Sequence, residues 1–203
     1  TYWLERDLSE QEQSALGPLR GFRLPWARGE TMFMTQSVQH DRYDSSYKSH
    51  YAFDFAAPGY PSDMFEIHAA KSGRVFRFFD ELPNGTQDPK NPNIVNYLVI
   101  EDPTTTPYTY HLYLHLAQNS IPEALKAKGA WVQMGQVIGV ADNTGRSSGN
   151  HLHFHVHTNP NSYWGTSVDV VFEDVSINGG RPRNNKDLPY CLSTATFKDV
   201  CQT

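Results

Sequence analysis

Short strand-like segments dominate the middle of the chain. Aromatic and β-branched residues form brief runs that are separated by glycine, proline, asparagine and aspartate, as in strands joined by turns. These runs are YAFDFAA, MFEIHAA, RVFRFF, IVNYLVI, YTYHLYLHL, WVQMG, QVIGVAD and HLHFHVH. Since no internal repeat is visible and few helical patterns interrupt the runs, we predict a mainly β fold built on an antiparallel sheet.

Two capping boxes predict the helices. Ser9–Glu12 begins the first helix, and Gly17 followed by proline ends it. Ser120–Glu123, with a proline in the first turn, predicts a second helix over residues 121–128 that ends at Gly129.

Composition excludes several classes of protein. The chain has 203 residues, of which 38% are hydrophobic and 13% aromatic, which is too apolar for a disordered chain. Its net charge of −5 has the wrong sign for electrostatic binding of nucleic acid. No apolar run approaches the ~18 residues of a membrane span. We expect an N-terminal extension (1–30), one main domain (31–175) and a C-terminal tail (176–203) that is not an independent domain.

The two cysteines, Cys191 and Cys201, both lie in the tail. Such a pair resembles a disulfide more than a metal site, which favours C-x-x-C spacing. Two free thiols and a catalytic thiol are the alternatives. A disulfide would place the protein outside the cytoplasm.

Four of the nine histidines alternate in HLHFHVH: His151, His153, His155 and His157. Alternate residues of a strand share a face, about 6.6 Å apart along the backbone. Neutral imidazole is a common metal ligand, so two or three of these side chains could line a metal site. A solvated, histidine-rich strand face is the alternative.

The segment YTYHLYLHL has a similar alternation. On a regular strand His111, Tyr113 and His115 share one face, and the intervening leucines form the other. The polar face could contribute to a site, or each histidine could simply be partly buried and hydrogen-bonded.

His50 and Asp54 form a third cluster, in SHYAFDFAAP. A straight strand would separate their Cα atoms by about 13 Å, so the chain must bend before Asp54 if both bind one ion. Asp54 also lies between two phenylalanines, where a carboxylate requires a partner. A cation is one such partner, and an arginine is the ordinary alternative.

Taken in order, these segments resemble the lysostaphin-type (LytM-like) zinc endopeptidases, which cut peptidoglycan peptides. The family pattern is H-x-x-x-D, Y-x-H-L, G-Q-x-I-G and H-L-H-F, and all four occur here between residues 31 and 175. The resemblance implies a narrow groove on an antiparallel sheet and one Zn²⁺ per chain.

Residue by residue, the resemblance implies His50, Asp54 and His153 as zinc ligands and His115 and His151 as catalytic histidines. Tyr113 and His155 are candidates for contacts just outside the ligands. The family usually has glutamate at position 155, so His155 and His157 are departures from its pattern.

We therefore expect a secreted, periplasmic or cell-envelope zinc endopeptidase that hydrolyses stem or cross-bridge peptides of peptidoglycan. The alternative is a module on the same fold that binds a wall peptide or a partner without cutting. Neither a nucleic acid nor a membrane span is expected.

Cys191 and Cys201 should be bonded to each other. Intact mass before and after reduction and alkylation measures this: alkylation without reduction should add no mass, and reduction should expose two thiols. Two alkylatable thiols in protein purified under oxidising conditions would contradict the disulfide.

Overall fold

A computed structural model describes residues 7–38, 40, 48–88, 91, 93–176 and 178–182. Within them, helix α1 (Glu10–Leu16) is followed by a series of short strands. The strands are β1 (Leu19–Phe22), β2 (Phe33–Gln36), β3 (Phe53–Ala56), β4 (Glu66–His68), β5 (Gly73–Phe79), β6 (Tyr97–Asp102), β7 (Thr109–Leu114), β8 (Trp131–Val132), β9 (Val137–Val140), β10 (Leu152–His157), β11 (Ser167–Val168) and β12 (Val170–Phe172). The predicted mainly β fold is confirmed.

One large sheet organises the molecule. Its strand order is β2-β3-β10-β7-β6-β5-β8, with β11 also pairing with β10, and the pairs are antiparallel. Two smaller pairs accompany it: β4 with β9, antiparallel, and β1 with β12, parallel. The large sheet therefore places β10 in its interior, between β3 and β7.

One face of this sheet carries the polar residues of the candidate site, and the other packs in the main core. His153 on β10 is paired with Asp54 on β3 and with Leu114 on β7, so these side chains share one face. The next residue, Phe154, points to the opposite face and packs in the main core against Phe22. The polar site and the main core are thus separated by a single strand layer.

The N-terminal extension packs on the core face. Phe22 of β1 contacts the rings of Phe154 and His111, and β1 pairs with β12. Farther upstream, the Asp7 carboxylate accepts the backbone N–H of Thr166 at 2.6 Å. The described part of the extension therefore lies behind the sheet, away from Asp54. Cys191 and Cys201 lie outside the described residues, so their pairing stays a prediction.

Helix α1 forms as predicted, and its capping box is present. The Ser9 backbone N–H donates to Glu12 Oε2 at 2.8 Å, and the Glu12 N–H donates to Ser9 Oγ at 3.3 Å.

The predicted helix over 121–128 is wrong, because the structure contains only a 3₁₀ turn at Glu123–Leu125. The Ser120 side chain, which was expected to cap this helix, bonds elsewhere, because its Oγ accepts the N–H of Val140 on β9. The Ile121 N–H donates to Asp80 Oδ2, which also pairs with Lys126 Nζ. These tertiary contacts fix the segment in a shorter and tighter form.

The prediction that His111, Tyr113 and His115 share one polar face is wrong. His111 and Tyr113 lie in the buried core, where the Tyr113 hydroxyl accepts the Ala70 N–H at 2.8 Å. The leucines between them share the face of His153 instead. His115 follows the end of β7 with a left-handed φ of 64°, which breaks the alternation and turns its side chain to the His153 face. Tyr113 is therefore not a neighbour of the candidate ligands.

His111 makes stability dependent on pH. Both of its ring nitrogens are buried without a hydrogen-bond partner among the described residues, and burial lowers its pKa to about 3. The unfolded chain therefore binds a proton that the folded chain rejects, so the free energy of unfolding should rise with pH between about 3 and about 6.5.

Replacing His111 with leucine should reduce that slope by up to about 1.4 kcal/mol per pH unit, the contribution of one proton. Denaturant melts at several pH values measure it. Leu112→Ala is the control, because a cavity at this buried neighbour should lower stability equally at every pH. An unchanged slope in His111→Leu would contradict the buried neutral state of the ring.

Candidate metal centre

The carboxylate of Asp54 is the centre of the candidate site. It is 3% exposed and receives contacts from several neighbouring side chains. Its Oδ2 lies 2.8 Å from His40 Nε2, 3.1 Å from Gln36 Nε2 and 3.7 Å from His151 Nε2, and its Oδ1 lies 3.0 Å from His153 Nδ1. Burial alone would raise the pKa of Asp54, but the histidines around it hold that pKa well below its usual range.

Three donors in this cluster could hold a metal ion. One ligand atom each from His40, Asp54 and His153 lies within 4.8 Å of the others. Two imidazole nitrogens and one carboxylate oxygen are the donor set of many catalytic zinc sites, which leave a fourth position for water. The chemistry of these residues therefore fits zinc.

The structure does not bring His50 to this cluster. His50 lies in a turn before β3, and its ring packs against Tyr51 at 4.7 Å between centroids. His40 supplies the second imidazole of the cluster instead. It can do so because β2 runs antiparallel to β3, and Gln36 at the end of β2 is paired with Asp54. The chain that continues from β2 therefore passes beside the carboxylate, whereas the turn at His50 does not bend toward it.

His115 lies beside the cluster as a neutral ring. Its Nδ1 is 2.6 Å from the Thr144 carbonyl oxygen, so Nδ1 carries the proton and Nε2 keeps a free lone pair. Burial, together with the nearby His151 and His153, holds the pKa of His115 well below its usual range. The ring can therefore accept a proton at Nε2.

His151 has the same orientation. Its Nδ1 lies 2.8 Å from the Gly149 carbonyl oxygen, which fixes Nε2 as the atom nearest Asp54. The rings of His115 and His151 are 4.5 Å apart between centroids. The structure therefore brings both expected catalytic histidines to the Asp54 carboxylate and to His153.

His155 and His157 extend this row along β10. Both are fully buried. Nδ1 of His155 lies 2.9 Å from Nε2 of His153, whereas His157 Nε2 donates to the Tyr163 carbonyl at 3.0 Å. Only His155 therefore contacts a candidate ligand.

An open groove of about 880 Å³ lies over the cluster. Tyr60, Tyr163 and Trp164 contribute aromatic walls, and Arg146 contributes a cationic side chain. A volume of this size is in the range of small-molecule and short-peptide sites. His40, Asp54, His115, His151 and His153 all line the groove.

The model of Peptidase family M23 matches residues 48–164, which is more than half of the chain. The chain belongs to peptidase family M23. This is a family of zinc metallopeptidases, and the lysostaphin-type resemblance inferred from the motifs is confirmed.

Several solved structures are similar to this chain. Pseudoalterin, an M23 metalloprotease from the deep sea, is 18% identical with a TM-score of 0.50, and the match covers 74% of this chain and 75% of that one. A zinc-containing peptidase from Vibrio cholerae is 26% identical with a TM-score of 0.42, over 74% and 41%. The catalytic domain of lysostaphin from Staphylococcus simulans is 20% identical with a TM-score of 0.42, over 79% and 93%. No curated protein matches the sequence.

Sequence reasoning missed His40, Gln36 and Trp164. No motif spacing marks His40, which enters the site only through the pairing of β2 with β3. Trp164 stacks on His153 with ring centroids 5.5 Å apart, although it follows β10 by several residues. The available signal was the strand-like segment MFMTQSV (32–38), because pairing of this strand with β3 brings the residues that follow it beside Asp54.

Proposed function

We propose that this M23 family member is a zinc-dependent endopeptidase that hydrolyses stem or cross-bridge peptides of peptidoglycan. The observation that carries the proposal is the convergence of two ring nitrogens on the buried Asp54 carboxylate at the floor of a groove. The substrate class follows from the family. None of the helices among the described residues is long and apolar enough to cross a membrane.

Asp54 and His153 are common to the motif and to the geometry, and we propose both as ligands. The geometry favours His40 as the third ligand, whereas the H-x-x-x-D spacing favours His50. When bound, zinc supplies a Lewis acid and lowers the pKa of a coordinated water toward 7.

His115 and His151 supply the proton chemistry. His115 is held neutral with its Nε2 lone pair directed to the site, so it serves as the proton acceptor. His151 Nε2 lies 3.7 Å from Asp54 Oδ2, so this nitrogen also faces the site. We assign His151 the second role, as the donor that steadies a developing oxyanion.

The groove orients the peptide. Its aromatic walls provide apolar contact for a chain that crosses the floor, and Arg146 can pair with a carboxylate, which stem peptides carry. Such a substrate lies outside the cytoplasm, so the proposal includes a secreted, periplasmic or cell-envelope location, consistent with the predicted disulfide.

Zinc content of two single variants identifies the third ligand. If His40 binds the metal, His40→Ala purified through a chelator wash should lose most of its zinc, because two remaining ligands make a poor site. His50→Ala should keep about one zinc per chain. Inductively coupled plasma mass spectrometry measures both, with Asp54→Ala as the metal-free reference. The reverse pattern would assign the ligand to His50.

Activity separates metal binding from chemistry. His153→Ala should lose both zinc and cleavage. His115→Ala and His151→Ala should keep zinc and lose activity by roughly 10²–10⁴-fold, because proton transfer and oxyanion stabilisation are typically worth this much. Clearing of purified cell walls and cleavage of a glycine-rich or stem peptide measure the rates, with His157→Asn as the control.

Wild-type rates in both His115→Ala and His151→Ala, with zinc retained, would overturn this mechanism. Binding of wall peptides without cleavage by the wild-type protein would instead favour the non-cutting module.

A further inference from the structure

His155 forms a ring pair with His153. His155 is fully buried on the same face of β10, and its Nδ1 lies 2.9 Å from Nε2 of His153. Trp164 holds both rings in place, since it stacks on His153 and meets His155 edge-on with centroids 4.7 Å apart. The bond between the two imidazoles is therefore a buried contact with little freedom to move.

The neighbouring carboxylate determines where the protons of this pair lie. An ionised Asp54 only accepts hydrogen bonds, so Nδ1 of His153, at 3.0 Å from Oδ1, carries the proton of that ring. With its proton on Nδ1, the neutral ring of His153 offers Nε2 as an acceptor. His155 must then donate from Nδ1.

Metal binding requires the opposite arrangement. The nitrogen of His153 that faces Asp54 is Nδ1, and a metal ligand needs a lone pair there. The proton of His153 must then lie on Nε2, and His155 must accept it through Nδ1. The proton of His155 must then lie on its own Nε2.

We propose that His155 is a positioning residue that reverses this hydrogen bond and stabilises the metal-binding tautomer of His153. One proton crosses from His155 Nδ1 to His153 Nε2, the Nδ1 proton of His153 leaves to solvent, and His155 takes one up at Nε2. Each ring holds a single proton before and after. The inference rests on the proposed function, because it requires His153 to be a ligand.

The family's usual glutamate can only accept when ionised, whereas imidazole can both donate and accept. His155 therefore satisfies His153 in both arrangements, with the metal and without it. An asparagine side chain retains this ability and carries its amide near the position of Nδ1. A leucine of similar shape has no polar atom, so the two substitutions differ in the hydrogen bond more than in volume.

Zinc affinity, measured by competition with a chromogenic chelator, tests the proposal. His155→Leu should weaken zinc binding by about 10–100-fold, the usual cost of removing a partner of a metal ligand, and His155→Asn should remain within about threefold of wild type. His157→Asn is the matched control, since this buried histidine of the same strand bonds to Tyr163. Thermal unfolding in excess chelator confirms that every variant is folded.

Nitrogen-15 NMR of the histidine rings supplies a readout that is independent of activity. The metal-free protein should show coupling across the hydrogen bond between His153 and His155, with Nδ1 of both rings protonated. The zinc-loaded protein should show the proton of each ring on Nε2. Retention of the Nδ1 proton by His155 after loading would overturn the inference.

Two patterns of zinc affinity are equally decisive. In the first, wild type and His155→Leu bind zinc equally well. In the second, His155→Asn loses as much affinity as His155→Leu. In either case this inference fails and the proposed function stands. If the wild-type protein binds no zinc, the proposed function fails first.

Discussion

A carboxylate buried on the groove face of β3 is the constraint on which this site depends. Asp54 is nearly inaccessible to water, and burial of a lone carboxylate is costly. The protein offsets that cost with hydrogen bonds and with neighbouring rings that hold the pKa of Asp54 well below its usual range. Each of those neighbouring side chains is held in its orientation by its contact with Asp54. The residues that could bind a metal are therefore also those that reduce the cost of burying the carboxylate.

The position of His115 shows how the site departs from strand alternation. A regular continuation of β7 would direct this side chain to the core face, with Tyr113. A left-handed φ of 64° reverses it, and the short contact of Nδ1 with the Thr144 carbonyl holds the ring there. Non-glycine residues rarely adopt this backbone region, and functional sites are where such strain accumulates. The His115 ring therefore serves as a proton acceptor at the end of β7, although His111 and Tyr113 of the same strand face the core.

Order and spacing of motifs were sufficient to predict the fold class, the family and most of the cluster. Asp54, His151 and His153 meet as the motifs imply, because the pairing of β3 with β10 brings these segments together. His115 joins them through its left-handed backbone conformation. The differences between expectation and structure have other causes. His40 reaches the cluster through the pairing of β2 with β3, and the helix over 121–128 shortens because Ser120 Oγ accepts the N–H of Val140. These two contacts are distant in sequence, whereas Tyr113 lies on the core face because the chain changes face at His115.

The hydrogen bonds of the histidines on β10 explain why a polar strand can lie in the interior of the sheet. His153 bonds to Asp54, His155 to His153, and His157 both donates to the Tyr163 carbonyl and accepts the Asn159 N–H. Burial keeps the pKa of each ring below its usual value, so all three are neutral near pH 7. A neutral imidazole with one nitrogen anchored directs the other at a chosen partner. Burial keeps these rings neutral, and their hydrogen bonds determine which nitrogen of each ring can contact a metal or a proton.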